Sequence, residues 1–203
     1  MVRGNRISRA AYSAVRGNSA SNIQITGNTA TDIGEVAIYS EFAFEGATIA
    51  NTTVDGAALG VVCCNFNEGG RLAAVTGNVI RNLKPKRPAG TAPDDAGGIG
   101  IAIEADAAVT GNVIEGAPSA GIMAGWGAYM RDISITGNVV RDSRYGVALS
   151  VVSGAGTAVV SGNLISGAKG AIVGMDHGRA VTGDLSEAPT RYANLQISGN
   201  RVR

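Results

Sequence analysis

The chain contains few aromatic residues, a single histidine and almost no net charge. Aromatic side chains make up 4% of its 203 residues, and the formal charge is +1. Proteins that bind nucleic acid usually carry a strongly basic face, so we expect no nucleic-acid partner. One histidine and two adjacent cysteines, Cys63 and Cys64, form a poor ligand set for a metal ion. We therefore expect neither a metal centre nor another cofactor.

Long apolar runs and an export signal are also missing. No segment approaches the roughly 20 apolar residues that a membrane-spanning helix requires, and residues 1–11 lack the apolar centre of a signal peptide. A disulfide between the neighbouring Cys63 and Cys64 would be strained. In a strand their side chains point to opposite faces. We expect no membrane span and two cysteines with structural roles.

Glycine and aliphatic residues are abundant instead. The chain has 30 glycines, and 45% of its residues are hydrophobic. With so few aromatic residues, the core must be filled by Val, Ile, Leu and Ala on short strands that glycine-rich turns separate. This composition is typical of an all-β protein.

A Gly-Asn pair returns along the whole chain and sets a structural period. The asparagines that we place in register recur every 23 to 37 residues, namely Asn5, Asn28, Asn51, Asn78, Asn112, Asn138, Asn163 and Asn200. Only Asn51 follows an alanine, and a further pair, Gly17-Asn18, falls out of phase. Self-similarity at such a period indicates one small unit stacked on copies of itself. Stacked asparagines at a corner can join their amides into a hydrogen-bonded ladder.

The segment between Asn138 and Gly162 shows the repeating unit most clearly. Three stretches, 138–140, 145–152 and 157–161, have the period of strands, and polar or glycine-rich corners separate them. Each unit therefore predicts one triangular coil of a parallel β-helix. The first coil places its middle strand at residues 12–15. We expect about seven coils, three parallel sheets and a single domain over residues 1–203. Because both ends are in the same phase of the repeat, a fragment without caps is expected.

The asparagine ladder, the three-strand coil and the minimal two-residue corner resemble the right-handed parallel β-helix of the pectin-lyase-like superfamily. More closely, residues 36–42, 94–95, 121–127 and 171–177 resemble the twin-arginine-translocated β-helix repeat proteins, a family without an assigned activity. The resemblance implies a right-handed, single-stranded β-helix with a periplasmic or secreted location. It also implies that substrate binds along the sheet of middle strands.

Two long insertions border the middle strands. Residues 83–97 precede the middle strand of one coil, and residues 178–193 follow that of another. Insertions in a solenoid gather on its working face. We expect both to wall a groove over the sheet of middle strands, although idle surface loops are the alternative.

Polar and aromatic residues at the ends of the middle strands are the candidates for function. Carboxylates and a histidine could act as acid and base on a sugar, and an aromatic ring could stack on it. The predicted catalytic residues are Glu41, Glu104, Asp106, Asp176 and His177. The predicted substrate-binding residues are Tyr39, Asn65, Arg87, Trp126, Tyr129 and Arg179. For His177 the alternative is a solvated strand end, and for Trp126 a packed core position.

Two functions remain open at this point. The first is an exported protein that binds an acidic polysaccharide and modifies it as a lyase, hydrolase or epimerase, an expectation from fold-level analogy. The second is a non-catalytic scaffold of the cell envelope that presents an interaction face or self-associates end to end through exposed sheet edges.

Overall fold

The protein is a β-solenoid of about seven coils, in agreement with the predicted fold class. A computed structural model describes residues 1–64, 70–91 and 97–203. These residues form 24 strands, numbered β1 to β24 in chain order, and one short 3-10 helix, Gly127–Tyr129. The strands form three sheets of eight strands each.

Each sheet collects one strand from successive coils, and the middle sheet has in addition the second strand of a hairpin. The first sheet contains the short strands that follow the ladder asparagines: β2 (Arg6–Ser8), β5 (Thr29–Thr31), β8 (Thr53–Asp55), β11 (Val79–Arg81), β14 (Val113–Glu115), β17 (Val139–Arg141), β20 (Leu164–Ser166) and β24 (Arg201–Val202). The middle sheet contains β3 (Val15–Asn18), β6 (Val36–Glu41), β9 (Leu59–Cys64), β12 (Ile99–Ile103), β15 (Ala120–Ala124), β18 (Tyr145–Ser150), β21 (Gly170–Asp176) and β22 (Arg179–Asp184). The third sheet contains β1 (Val2–Arg3), β4 (Ile23–Thr26), β7 (Glu45–Ala50), β10 (Arg71–Thr76), β13 (Ala105–Thr110), β16 (Arg131–Thr136), β19 (Ala158–Ser161) and β23 (Leu195–Ser198).

The first middle strand differs from the prediction. It was expected at residues 12–15 and is observed at Val15–Asn18, where Val15 pairs with Ile38 and Asn18 with Glu41. The strand therefore includes the out-of-phase Gly17-Asn18 pair, which is not a corner.

Inward-facing β-branched residues build one continuous core. Their side chains alternate with outward-facing ones because strands have a period of two. The fully buried residues repeat once per coil in each sheet, for example Ile80, Ile114, Val140 and Ile165 in the first sheet and Ile38, Val61, Ile101, Ile122 and Val147 in the middle sheet. The repeat thus becomes a stack of matching layers.

Four glycines of the middle sheet lie one above the other where the first sheet comes closest. They are Gly60, Gly100, Gly121 and Gly146. A Cβ atom on Gly121 would lie 2.3 Å from Cγ1 of Val140 and 2.8 Å from the carbonyl oxygen of Gly146. There is therefore no room for a side chain at these positions of the middle sheet.

Asparagine side chains join neighbouring coils at one corner, as predicted. The Oδ1 atom of Asn138 accepts hydrogen bonds from the backbone N–H and the Nδ2 atom of Asn112, both at 2.9 Å. In turn, Nδ2 of Asn138 donates to Oδ1 of Asn163 at 3.0 Å. The same bond links Asn5 to Asn28, Asn78 to Asn112 and Asn163 to Asn200.

The prediction that Asn51 belongs to this ladder is wrong. Asn51 has φ of 52° and occupies the glycine position of its corner, so Thr52 stands where the other coils have asparagine. The backbone N–H of Thr52 donates to Oδ1 of Asn78 at 3.0 Å, and its hydroxyl donates to the carbonyl oxygen of Ala50. Asparagine tolerates the left-handed conformation almost as glycine does, which explains the exchange.

Replacing Thr52 with asparagine should complete the ladder. A new Oδ1 atom would accept hydrogen bonds from Asn28 of the coil before it, as Asn138 does from Asn112. We expect the free energy of unfolding to rise by about 1 kcal/mol, the usual net value of one hydrogen bond. Thermal and urea unfolding of Thr52→Asn would measure this gain, and Thr52→Ala, which should lose stability, is the control. An unchanged midpoint for Thr52→Asn would contradict the prediction.

The second insertion closes one edge of the middle sheet. Its strand β22 runs antiparallel to β21, whereas the other pairs among the described strands are parallel. The carboxylate of Asp184 accepts hydrogen bonds from the backbone N–H of Ala171 at 2.6 Å and of Ile172 at 3.2 Å. Burial raises the pKa of Asp184, but backbone N–H donors, including Ser186, outweigh it and leave the pKa below its usual value. The strand β22 of this insertion therefore lies at the sheet edge, while the first residues of the insertion, Gly178, Arg179 and Ala180, lie beside Met123 and Tyr145 on the outer face of the sheet.

Candidate functional site on the outer face of the middle sheet

The outer face of the middle sheet is apolar and largely shielded from solvent. One outward column runs through Tyr39, Val62, Ala102, Met123, Ala148 and Val173, and a second through Val36, Leu59, Ile99, Ala120 and Tyr145. Most of these residues belong to one hydrophobic cluster that is separate from the core inside the coils. The middle sheet is therefore apolar on both its inner and its outer face, whereas the outer faces of the other two sheets are solvated.

A cavity of about 140 Å³ opens on this face. Leu59, Val62, Ile99, Ala102 and Met123 supply apolar lining from the strands β9, β12 and β15. The remaining lining residues are Tyr39, Cys64, Arg87, Ile103, Glu104, Gly125 and Trp126. Four of the residues predicted from the sequence, Tyr39, Arg87, Glu104 and Trp126, therefore share one cavity.

Tyr39 and Cys64 supply polar atoms that stay protonated at neutral pH. The thiol of Cys64 donates to the hydroxyl oxygen of Tyr39 at 3.7 Å. Burial is the main cause that raises the pKa of Tyr39, and the neighbouring Cys64 is the second. Burial is also the main cause that raises the pKa of Cys64, and the charge of Glu104 is the second. Because the thiol proton of Cys64 is directed to Tyr39, the Tyr39 hydroxyl is the group that can donate a hydrogen bond to a ligand, and the protonated Cys64 is a poor nucleophile.

Glu104 and Arg87 bring opposite charges to the cavity. Glu104 follows β12 and is buried. Arg87 comes from the first insertion, and its Nη1 atom lies 3.5 Å from Oε1 of Glu35, which is also buried. Glu35 thereby holds Arg87 of the first insertion at the cavity.

Trp126 forms one wall of the cavity and is positioned by a short loop. The indole precedes the 3-10 helix Gly127–Tyr129. The hydroxyl of Ser150, one coil further on, donates to the carbonyl oxygen of Gly127 at 2.6 Å. The loop is thereby fixed to the next coil, and the indole remains partly exposed.

Comparison with known proteins agrees with this architecture. A family model described as right handed beta helix region matches residues 1–131, which is more than half of the chain. The chain belongs to the right-handed β-helix family. A search of curated proteins gave no match.

The other predicted residues lie outside the cavity of this right-handed β-helix. Glu41 shares the outward column of Cys64, but it is only 1% exposed and forms an ion pair with Arg16. Asp106 lies on β13 of the third sheet, where Arg131 donates to it at 2.8 and 3.0 Å and thereby lowers its pKa. The structure thus brings neither carboxylate to Glu104 in an open cleft.

Asp176 is the last residue of β21, and His177 lies in the turn to β22, against Trp126; neither residue lines the cavity. Arg179 is 78% exposed and lies 3.7 Å from Asp176. Tyr129 lies in the 3-10 helix and is 39% exposed. Asn65 lies outside the described residues, so its prediction stays untested.

Sequence reasoning missed three contributors to the site in this β-helix. Cys64 was assigned a structural role, whereas its thiol lines the cavity; Cys63 is the buried core residue, with burial raising its pKa to about 12. Met123 and Glu35 were not singled out. The alternation of β9 and β15 could have placed Cys64 and Met123 outward, but no local signal pairs Glu35 with Arg87 across about 50 residues.

Within residues 1–64, 70–91 and 97–203, no group of three or more His, Cys, Asp and Glu residues could hold a metal ion. Over the same ranges, no helix has the length and hydrophobicity needed to cross a bilayer.

Proposed function

We propose that this β-helix binds a polysaccharide along the outer face of its middle sheet, with one sugar ring seated in the cavity. The observation that carries the proposal is the convergence of Tyr39, Arg87, Glu104 and Trp126, from different coils, on one cavity with apolar lining. Its volume of about 140 Å³ is close to the cavity of about 150 Å³ that accepts benzene in another protein. A single six-membered ring is therefore the matching size.

The polar groups fit a sugar better than a purely apolar ligand. Glu104 can accept hydrogen bonds from ring hydroxyls, and the hydroxyl of Tyr39 can donate to them. Trp126 can stack on the apolar face of the ring. Arg87 is the cationic residue in the cavity lining, and its charge supports a sugar that carries a carboxylate.

The acidic character of the polymer depends on Arg87 more than on Arg179, because Arg87 lines the cavity and Arg179 does not. Arg87 also lies 3.5 Å from Glu35, so its charge would act on a ligand together with that carboxylate. An exported, periplasmic or secreted location is part of the proposal, and the resemblance to twin-arginine-translocated proteins supports it.

Chemical modification of the bound sugar would rest on Glu104. Cleavage with two carboxylates requires a second group about 5 to 9.5 Å from the first. Glu41 is the nearest candidate in the column, but it is buried and paired with Arg16. Lyase or epimerase chemistry would need a single base, which Glu104 could provide. Binding therefore has more support than catalysis.

Affinity electrophoresis in gels that contain polygalacturonate, alginate or neutral dextran would test the proposal. We expect retardation by at least one uronate polymer. Trp126→Ala should weaken this binding about 10-fold, because a stacked ring contributes about 1–1.5 kcal/mol. Glu104→Gln should weaken it by a similar factor, since hydrogen bonds to charged groups contribute about 1.5–3 kcal/mol.

The control is Glu115→Gln, an exposed carboxylate on the outer face of the first sheet. It should bind as the wild type does. Absence of retardation by every polymer, or equal loss in Glu115→Gln, would contradict the proposed site. Release of unsaturated or shortened products by the wild type, lost in Glu104→Gln, would add a modifying activity.

A scaffold role is the second candidate, and the third sheet favours it. Its outer face has two columns without a charged residue: Gln24, Thr48, Ala74, Ala108, Ser134, Val159 and Gln196, and Thr26, Ala50, Thr76, Thr110, Thr136, Ser161 and Ser198. Such a flat face could lie on an extended envelope component. Co-sedimentation with cell-envelope preparations that Thr110→Lys abolishes, and Trp126→Ala does not, would support the scaffold role.

A further inference from the structure

The turn between β21 and β22 packs directly against the loop that carries Trp126. The rings of Trp126 and His177 meet edge to face, with centroids 5.6 Å apart and an interplanar angle of 85°. This geometry is a favourable one for aromatic pairs. His177 therefore lies behind the cavity wall, in contact with the indole, and does not belong to the cavity lining.

Two glycines make this close approach possible. A Cβ atom on Gly127 would lie 2.3 Å from Nε2 of His177, and a Cβ atom on Gly178 would lie 3.2 Å from the indole. Both glycines have positive φ, 60° for Gly127 and 84° for Gly178. The two turns thus fit together only because neither has a side chain at the contact.

A carboxylate fixes the imidazole in this position. The Nδ1 atom of His177 lies 2.6 Å from Oδ1 of Asp176, and Arg179 faces the other oxygen of the same carboxylate at 3.7 Å. Asp176 and Arg179 are the charged groups that face His177 within the described chain. A carboxylate on Nδ1 determines which way the ring faces and which nitrogen carries the proton.

We propose that His177 is a positioning residue, which holds the indole of Trp126 in the wall of the cavity, rather than the proton shuttle that the sequence suggested. The consequence for ligand affinity rests on the proposed function. The contact with the indole does not, because it exists without a ligand. The hairpin that closes the sheet edge thereby also shapes the binding site two coils away.

The fluorescence of Trp126 tests this positioning without any ligand, because it is the only tryptophan. Without the ring of His177 against it, the indole should be more exposed to water, and we expect the emission maximum of His177→Ala to lie at a longer wavelength than that of the wild type. His177→Phe should keep the wild-type maximum, and Glu115→Gln, far from the indole on the first sheet, is the control that should not change it. An emission maximum that is the same in the wild type and in His177→Ala would overturn the proposal.

Acrylamide quenching separates positioning from simple proximity. Without the ring behind it, the indole in His177→Ala should become about 2-fold more accessible to acrylamide. His177→Phe should restore the wild-type value because phenylalanine keeps an aromatic ring at the contact. Equal quenching of wild type and His177→Ala would overturn the role of His177.

Ligand binding then tests the consequence for affinity. With a uronate polymer that retards the wild type, His177→Ala should bind about 5-fold more weakly, and His177→Phe should recover most of the loss. A catalytic histidine would not be replaced by phenylalanine. Unchanged affinity of His177→Ala would overturn the proposal. If the wild type binds no polymer, the proposed function fails, and the two fluorescence experiments alone decide the position of the indole.

Discussion

Replacing Asn138 with alanine should lower the free energy of unfolding by about 3–5 kcal/mol. The Asn138 side chain accepts two hydrogen bonds from Asn112, and it donates to Asn163, to the carbonyl oxygen of Val109 at 3.0 Å and to that of Thr136 at 3.2 Å. Both Asn112 and Asn138 are almost fully buried. Each buried polar group that loses its partner costs about 1–3 kcal/mol, and alanine would leave several without one.

Urea unfolding followed by circular dichroism would measure this loss. The matched control is Asn18→Ala, because Asn18 also follows a glycine but is exposed and accepts one hydrogen bond, from Ser19. We expect a change below about 0.5 kcal/mol there, the usual limit for surface sites. Similar losses in both variants would show that the ladder adds nothing beyond the general cost of replacing asparagine.

Replacing Gly121 with alanine should cost about 2–4 kcal/mol. The new methyl group would overlap Cγ1 of Val140 and the carbonyl oxygen of Gly146. Overpacking of a core usually costs about 1–3 kcal/mol, and more where neighbours cannot move. Relief would require the first and middle sheets to move apart at Val140, and the paired strands β15 and β18 to move apart at Gly146, which is backbone of the next coil.

The control for this variant is Gly183→Ala. Gly183 has open space around its Cα and no positive φ, so a methyl group there should change stability by less than about 0.5 kcal/mol. The double variant Gly121→Ala with Val140→Ala should lose less than the sum of the single variants, because the two positions compete for the same space. Strict additivity would contradict the steric explanation.

The repeat made the architecture predictable from the sequence. It did not make the exact role of each corner residue predictable. Gly-Asn pairs marked the ladder because the positive-φ position and the stacking position are adjacent in sequence. At the corner of Asn51 and Thr52, asparagine takes the positive-φ position of glycine, and threonine takes the stacking position of asparagine. This is possible because asparagine tolerates a positive φ and the threonine hydroxyl reaches the carbonyl oxygen of Ala50. A rule that reads only residue type could not separate the two.

The cavity was predictable only in part. Tyr39 lies within the middle strand β6, Glu104 and Trp126 follow the middle strands β12 and β15, and all three line the cavity on the outer face. Asp106 is only two residues from Glu104, yet the chain turns onto the third sheet between them. Glu41 lies in the outward column of Cys64, but it forms an ion pair with Arg16. Pairing between residues of different coils leaves no local signal in the sequence.

The interruption of the ladder at Thr52 divides the solenoid unequally. Hydrogen bonds between asparagine side-chain amides run without a break from Asn78 to Asn200, while Asn5 and Asn28 form a separate short segment of the ladder. In a linear array, stability is approximately the sum of the interfaces between adjacent repeats. We therefore expect the N-terminal coils to fray as one cooperative unit at the interface between the coils of Asn28 and Thr52, while the coils that carry the cavity remain folded.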